Sequence, residues 1–279
     1  MAEARPATPV RPLLLLGDVM AERTLGMLDQ VGAVWYLFAE AIHWIWRSFT
    51  VRKVRLGRTA IISQIVRVGV RSVFIISLVS SCVGLILALQ MAPPLDEFGR
   101  KDAVANITGV AVLRELGPLI AAIVLTGFAG AAIAAEIGTM VVGEEIEALE
   151  AHALNPVRFL VLPRVIATVI SMTALAVLSD LVALVASWGI SMFALGIPSQ
   201  LYIDNTLEQV KRIDFLTGIG KATVFGLLIG LIACTNGLRV TGGAAGVGKA
   251  TTGTVVQSVV SIVVADLMFT AMFYAIGWV

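Results

Sequence analysis

The chain has 279 residues, of which 58% are hydrophobic and 14% are charged, and its mean hydropathy is +0.94. Soluble domains usually carry about 25% charged residues, so this composition excludes an ordinary soluble domain and predicts an all-α integral membrane protein. The net charge of +1 gives no overall field that would favour a nucleic acid partner.

Residues 1–64 are predicted to form a cytoplasmic tail and an amphipathic helix that lies in the membrane interface. In the stretch "VGAVWYLFAEAIHWIWRSF", apolar side chains recur at helical spacing, while Glu40, His43 and Arg47 lie on the other face. A sixth span is the alternative, although a polar stripe facing lipid would be costly. The apolar positions are Val31, Trp35, Phe38, Ile42, Ile45 and Phe49.

Residues 65–279 contain five segments that are apolar enough to span a membrane, which takes about 20 residues. They are predicted to form one domain of five transmembrane helices. The third helix is expected to end early, at Gly196 and Pro198, and the fourth to begin near Thr217. The segments are Ser72–Ala92, Leu116–Gly143, Val165–Ile203, Ala222–Leu238 and Ala250–Val279.

The distribution of Lys and Arg predicts the orientation of the chain. Ten of the 20 lie within the first 71 residues, against five acidic residues there, and six of them lie between Arg52 and Arg71. The positive-inside rule therefore places the N-terminus in the cytoplasm and, with five spans, the C-terminus on the opposite side. The connection between the second and third spans is then cytoplasmic, although it is acidic, because Asp and Glu contribute little to this rule.

Three predicted spans each contain a single carboxylate: Glu136, Asp180 and Asp266. Each would cost about 2.5–3.5 kcal/mol if it faced lipid at the membrane centre, so each is expected to face protein or water. The carboxylates belong either to a path for protons or substrate, or to buried hydrogen-bonded contacts that only stabilise the fold. The sequence leaves both interpretations open.

No pattern in the sequence is typical of a catalytic triad or a metal site. Cys82 and Cys234 each lie in an apolar run and are expected to be buried small hydrophobic residues. The stretch "GAAGVGKA" (Gly243 to Ala250) resembles a phosphate-binding loop, but Ala250 stands where that loop needs a hydroxyl, and an apolar helix precedes it instead of a strand. We interpret its glycines as a tight cytoplasmic turn between two helices.

Other glycines predict close approach of helices. Gly226 and Gly230 are four residues apart, and Gly127, Gly130 and Gly138 lie among alanines. Such small residues let helix backbones pack closely within a membrane. The packing partner is either another span of this chain or a second copy.

The densest acidic cluster lies in "VVGEEIEALEAHALNPVRFLVLP" (141–163), between the second and third spans. This segment is predicted to contain a short helix that Asn155-Pro156 terminates. Apolar Ile146 and Leu149 lie on one face, and glutamates lie mostly on the other. The helix is too short and too charged to span, so it is either a solvated loop helix or a helix that docks on a soluble partner.

Three stretches resemble the MlaE (YrbE-type) permeases, which are membrane subunits of ABC lipid transporters that work with MCE proteins. The first is "LRELGPLIAAIVLTGFAGAAIAAEIGTMVVGEEIEALEAHALNPVRFLVLPRVIA". The others are "FLTGIGKATVFGLLIGLIACTNGL" and "GVGKATTGTVVQSVVSIVVADLMFTAMF". The resemblance covers nearly everything from about Ile65 to Gly277, and its motifs agree in order and spacing.

The resemblance implies an interfacial helix plus five spans, assembled as a homodimer in a bacterial inner membrane, with the C-terminus on the periplasmic side. A cytoplasmic coupling helix would match Gly143–Asn155 and dock on a separate ABC ATPase. That ATPase would bind ATP and Mg, and this chain would hold no cofactor. Further implied partners are an MCE-domain protein on the outer face and a STAS-domain protein. The coupling residues would be Glu144, Glu145, Glu147, Leu149 and Glu150.

The cargo implied by the resemblance is a phospholipid, held in a cavity at the dimer interface. Arg114, Glu115 and Lys221 match polar positions near that cavity, and cations there would suit a headgroup phosphate. Arg114 and Glu115 could instead be an interfacial pair at a helix start. The apolar wall for the lipid tails is predicted to include Leu85, Leu89 and Met91.

Two further functions remain open at the level of sequence. A secondary transporter would use Glu136, Asp180 and Asp266 as proton sites, and a membrane scaffold would transport nothing. The predicted docking helix, together with the absence of a visible inverted repeat, favours the ATP-driven permease over both.

Overall fold

The computed structural model describes residues 12–50 and 57–277, and every regular element in these two ranges is helical. Short 3₁₀ turns occupy Val70–Ser72 and Lys101–Ala103, and π-helical segments occupy Val112–Leu116, Thr126–Gly130 and Val157–Val161. The α-helices are α1 (Pro12–Thr50), α2 (Arg58–Val68), α3 (Val73–Glu97), α4 (Val104–Ala111), α5 (Gly117–Leu125), α6 (Ala131–Val142), α7 (Glu145–Ala151), α8 (Leu162–Phe193), α9 (Ser199–Gln209), α10 (Arg212–Leu238) and α11 (Gly243–Ile276).

Five helical segments in the described ranges are long and apolar enough to cross a membrane, which confirms the predicted number of spans. α1 is not among them, so the structure does not support a sixth span. We number them spans one to five in chain order. They are Arg58–Glu97, Lys101–Val142, Val157–Phe193, Arg212–Leu238 and Gly243–Ile276.

Several helices extend well beyond the uncharged runs that predicted them. Span one begins at Arg58, and span two begins at Lys101, only a short turn after Glu97. The connection between the first two predicted apolar runs is therefore mostly helical, and Pro93 and Pro94 lie inside α3. The helices are longer than the predicted apolar runs because a helix can continue past the membrane core through charged residues that lie in the aqueous boundary.

The glycine-rich stretch before span five also differs from its prediction. Gly243 to Ala250 form the first turns of α11 and not a turn between helices. The reversal of the chain falls instead at Gly242 and Gly243, which have φ of 84° and 68°. These left-handed conformations are accessible to glycine without the steric cost that other residues incur.

Span three ends as predicted, because α8 stops at Phe193, before Gly196.

α8 and α10 form the centre of the bundle. α8 packs against α2, α3, α5 and α10, and α10 also packs against α6 and α11. A Cβ on Gly226 would lie 2.8 Å from the Cβ of Met172, and one on Gly230 would lie 3.2 Å from the Cα of Val165, so these glycines do permit close helix packing. A Cβ on Gly127 would meet no atom within 4 Å, so this glycine has no such role within the chain.

α1 lies against the bundle with only Leu37 and Ala41 buried among the side chains described for it. Val31, Trp35 and Ile42 are exposed as expected for a lipid-facing side, but Phe38 packs partly against the core. The predicted single apolar face is therefore divided between lipid and bundle. The basic residues at 52, 53 and 55, the tail before residue 12 and the side chain of Phe49 lie outside the described residues.

A second apolar cluster lies at the opposite end of the bundle from α7. Tyr202 of α9 packs there with Ala88, Ala92 and Val104. Its hydroxyl lies 2.8 Å from that of Ser187. Burial raises the pKa of the Tyr202 phenol, and the hydrogen bond with Ser187 partly opposes that rise.

The two cysteines differ in their surroundings. Cys234 is buried as predicted, whereas Cys82 is exposed on the surface of this chain, which corrects that prediction. An apolar run in a membrane span contains positions that face lipid as well as positions that face the bundle, and hydropathy alone does not separate them.

Gly84 is predicted to be essential for the contact between α3 and α8, because a Cβ there would overlap the backbone carbonyl of Ala183. Gly84→Ala should lower stability by about 1–3 kcal/mol through overpacking. Gly189→Ala, on α8 with open space around it, is the matched control and should be neutral. Thermal unfolding of the purified protein in detergent measures both variants, and equal melting temperatures would contradict the prediction.

Candidate cargo site and coupling segment

Lys221 of α10 is the centre of a charged cluster inside the bundle. Its side chain is 1% exposed. The Nζ atom lies 2.6 Å from Glu115 Oε1 and 2.9 Å from Asp266 Oδ1, and it donates a hydrogen bond of 2.9 Å to Thr270 Oγ1. Thr270 in turn donates to Glu115 Oε1 at 2.9 Å. A buried ammonium ion needs such partners, because leaving it unpaired would cost several kcal/mol.

Arg114 forms a second ion pair beside this cluster. Its Nε lies 2.6 Å from Oδ1 of Asp214, a buried residue in the first turn of α10. The other oxygen of Asp214 accepts the backbone N–H of Lys211 at 2.8 Å, so the same carboxylate also caps α10. The two terminal nitrogens of Arg114 have no hydrogen-bond partner among the described residues, and its side chain is 20% exposed.

The π-helical segment Val112–Leu116 carries both Arg114 and Glu115, which reach different partners on α10. A π-helix widens the backbone locally and often occurs at functional sites. Arg114 and Lys221 both lie well inside their helices and not in a first turn. Arg114 lies thirteen residues after Lys101, where span two begins. Lys221 lies nine residues after the first residue of α10, about 13 Å along the helix axis.

The structure thus brings Arg114, Glu115 and Lys221 together and adds Asp266, which the sequence presented only as an isolated intramembrane carboxylate. Asp214 and Thr270 were missed by the sequence analysis. An acidic residue in the first turn of a helix gives no sign of a distant arginine, and a threonine within an apolar run is unremarkable. With all groups ionised, three carboxylates face two cations.

The predicted apolar wall lies on α3. Leu89 is exposed and Leu85 is half-buried, whereas Met91 packs against the apolar cluster around Tyr202. These positions therefore do not form one continuous surface within a single copy of the chain. Their assignment to a lipid cavity stays a prediction.

Glu136 lies in a separate ionic cluster near the end of span two that leads to α7. It pairs with Arg67 of α2, and its Oε2 lies 3.4 Å from the guanidinium of Arg164 on α8. Arg164 also donates to the carbonyl of Leu160 at 3.0 Å. These contacts join spans one, two and three, as expected for a carboxylate that stabilises the fold.

Asp180 of α8 has no comparable partner. It is buried, and its Oδ1 has no hydrogen-bond partner among the described residues. A Cβ on Gly117 would collide with this carboxylate, so the helix bearing Arg114 approaches α8 closely at this point. Both interpretations given for Asp180 stay predictions.

α7 is the short helix expected in the acidic connection, and it spans Glu145–Ala151. Its half-buried face includes Ile146, which packs against the core, and Leu149. The acidic side chains of this segment form no ion pair with a described residue, and all are exposed; they are Glu144, Glu145, Glu147 and Glu150. An exposed group of unpaired carboxylates can contact a basic partner surface.

The backbone on both sides of α7 is in an unusual conformation. Glu144 has φ of 58° and Ala153 has φ of 57°, although neither is glycine. A left-handed conformation costs such residues roughly 1–2 kcal/mol. Glu144 therefore takes part in the turn that aims α7 away from α6, in addition to exposing its carboxylate.

Comparison with known proteins places the chain among permeases. The profile of the family described as "Permease MlaE" matches residues 61–272. A "Probable ABC transporter permease protein" of Rickettsia prowazekii is 33% identical over 264 residues, which cover 95% of this chain and all of that protein. One of the same description from Synechocystis is 32% identical over 220 residues, 79% of this chain and 84% of that protein.

A plant protein is similarly related. "Protein TRIGALACTOSYLDIACYLGLYCEROL 1, chloroplastic" of Arabidopsis thaliana is 33% identical over 213 residues, which cover 76% of this chain and 61% of that protein. The aligned part is about as long as the whole five-span segment of this chain.

Removing the cation of Lys221 should strongly destabilise the bundle, since Glu115 and Asp266 would then face each other without compensation. We expect Lys221→Met to lower the free energy of unfolding by about 3 kcal/mol. The double variant Lys221→Met/Asp266→Asn should recover most of that loss. Lys249→Met, at an exposed lysine of α11, serves as control and should stay within about 0.5 kcal/mol of the parent. Unfolding in detergent, followed by circular dichroism, gives the comparison, and equal stability of Lys221→Met and Lys249→Met would contradict this account.

Proposed function

Because the chain belongs to the MlaE permease family, we propose that it is the membrane subunit through which an ATP-driven transporter moves phospholipids between membranes. As a permease it is a non-enzymatic subunit of an ABC transporter, which removes the grounds for a secondary transporter. The phospholipid cargo rests chiefly on one observation, the charged cluster around Lys221 with the Arg114–Asp214 ion pair beside it, within apolar spans. The plant relative is named after a glycerolipid whose headgroup is galactose, so its name supports a lipid cargo but gives no support for the phosphate.

Arg114 is the group best suited to meet a phosphate first. Its Nε is used by Asp214, but its terminal nitrogens retain donors that have no described partner. A guanidinium can therefore bind phosphate oxygens without losing its first ion pair. The ammonium group of Lys221, by contrast, already has three partners within the chain. It would bind phosphate only when Glu115 turns away, and the side chain of Glu115 is 36% exposed. In this proposal, the phosphate of the bound lipid replaces the carboxylate of Glu115 as a partner of Lys221.

In a homodimer, this cluster would line a cavity between the two copies. The side of α11 that faces away from the bundle is apolar and exposed, and it flanks Asp266. A second copy packed near this face would place two clusters beside one space, with lipid tails against the apolar side chains of both copies. The exposed residues are Val256, Val260, Val263, Val264, Leu267 and Met268.

The proposal includes the further partners that the resemblance implies. A separate ABC ATPase binds ATP and Mg and docks on α7 in the cytoplasm. An MCE-domain protein contacts the opposite, periplasmic face, and a STAS-domain protein binds the ATPase. The chain then lies in a bacterial inner membrane, with the N-terminus in the cytoplasm and the C-terminus on the periplasmic side.

Charge reversal on α7 should disrupt docking of the ATPase. In the double variant Glu144→Lys/Glu145→Lys we expect membrane insertion to persist and recovery of the ATPase with the permease to fall at least about tenfold, which corresponds to about 1.4 kcal/mol. Glu97→Lys/Glu208→Lys, at exposed acidic residues outside α7, is the matched control. Co-purification in detergent measures the effect, and full recovery of the ATPase with the α7 variant would refute the proposed docking surface.

Loss of the two cations should reduce lipid binding without abolishing assembly. Arg114→Ala should lower co-purifying phospholipid about tenfold, because a hydrogen bond to a charged group contributes about 1.5–3 kcal/mol. Lys221→Met is tested together with Asp266→Asn, which removes one of the carboxylates left without their cation. Lys101→Ala, at an exterior position of span two, controls for general loss of charge.

Mass spectrometry of lipids bound to the assembled complex gives the readout. Parent-level occupancy in both site variants would mean that Arg114 and Lys221 only stabilise the fold. Loss in the Arg114 variant alone would assign the headgroup to Arg114 and Glu115.

A further inference from the structure

α1 contacts the connection that follows α7. The Nδ2 of Asn155 donates to Oε1 of Glu40 at 3.3 Å, and the guanidinium of Arg158 lies 5.7 Å from the centre of the Trp44 ring. The backbone N–H of Arg158 also donates to Asn155 Oδ1 at 3.0 Å. Asn155 and Arg158 are therefore parts of one turn, and two neighbouring side chains of α1 hold that turn.

The same helix contacts the hairpin between spans four and five. Gln30 Nε2 donates to Asn236 Oδ1 at 2.5 Å and to Gln257 Oε1 at 3.1 Å. The preceding residue of α1, Asp29, pairs with Arg239 at 2.9 Å. These contacts attach α1 to the last turns of α10 and to the first half of α11.

Apolar packing also fixes α1 along this stretch. Leu37 and Ala41 are buried against the bundle, and Val34, Phe38 and Trp44 pack partly against its core. Gln30 lies seven residues before Leu37, an arm of about 10 Å, and Trp44 lies three residues after Ala41, an arm of about 4.5 Å. A cavity of about 450 Å³ lies beside Gln30, and another of about 510 Å³ lies beside Leu37 and Glu40. Open space borders α1 from Asp29 to Glu40, whereas Trp44 also packs partly against the core.

We propose that α1 is a lever, pivoting on Leu37 and Ala41, that transmits movement of the α7 connection to the start of α11. Glu40, Trp44 and Gln30 are then positioning residues for ATP-driven transport. Gln257 lies on the same helix as Asp266, so a displacement of the first reaches the cluster around Lys221. The proposal rests on the proposed docking of an ATPase on α7.

The direct path through α6 is the competing route, because α6 contacts α7, α10 and α11. The junction between α6 and α7 passes through Gly143 and Glu144, where the backbone leaves helical geometry. The attachments of α1 lie beyond that junction, at the start of span three. In a lever, the contacts of Glu40 and Trp44 and those of Gln30 act in series. Breaking both sets should therefore reduce the transmitted response no more than breaking one set.

Hydrogen–deuterium exchange on the assembled permease–ATPase complex tests the lever without requiring any cargo. In the parent, adding a non-hydrolysable ATP analogue should change exchange both in residues 145–155 and in residues 243–257. Glu40→Ala/Trp44→Leu should reduce the change in residues 243–257 at least about fivefold while residues 145–155 still respond. Gln30→Ala should do the same, and the combined variant should show no further loss.

The conservative variants Glu40→Gln and Trp44→Phe keep an acceptor oxygen and an aromatic face, so they should retain the parent response. Trp35→Leu, at an exposed position on the outer side of α1, is the matched control and should also behave like the parent. A response in residues 243–257 that survives in the lever variants, or is absent from the parent, overturns the proposal. Failure of the phospholipid proposal would appear separately, as parent complex that responds to nucleotide but carries no lipid.

Discussion

The ammonium group of Lys221 is the constraint on which the membrane bundle depends. A cation that is almost fully buried among apolar spans is tolerated only when partners surround it. Those partners come from span two, through Glu115, and from span five, through Asp266 and Thr270. One side chain thus sets how three helices are positioned along and around their axes. Alternative packings of the same apolar surfaces would leave this charge unpaired.

A second ionic junction complements the first at the end of the bundle nearer α7. Glu136 joins spans one, two and three through Arg67 and Arg164. Span two contributes to both junctions, and α7 follows directly from its end. A movement of span two would therefore change the contacts at both ionic junctions. Two carboxylates surround the single charge of Lys221, which suits the proposed exchange with a lipid phosphate. Glu136 is instead paired with two cations, which suits a fixed contact.

α1 adds a connection that the membrane spans alone do not provide. It attaches to the turn after α7 and to the hairpin between spans four and five, and it packs on the bundle between these points. A helix carries displacement along its length because its backbone hydrogen bonds make it stiff. The predicted interfacial helix thus has polar residues for a reason beyond its contact with water, since Glu40 and Gln30 contact the bundle.

The sequence by itself determined the all-α membrane class, the number of spans, the short acidic helix between the second and third, and the resemblance to MlaE permeases. These features follow from local hydrophobicity and from contiguous motifs, which depend little on how the helices pack. The ends of the helices were less predictable, as Lys101 and Gly243 show, because a charge or a glycine does not stop a helix whose neighbours stabilise it.

Only the tertiary structure decided which charges are partners. The sequence separates Lys221 from Glu115 by 106 residues and Arg114 from Asp214 by 100, and nothing in either segment specifies the other. Their pairing depends on the rotation and depth of each helix, which close packing at glycines such as Gly226 sets. For the same reason Asp266 belonged to no site until α11 was placed beside α10, and α1 could not be recognised as a link between two distant connections.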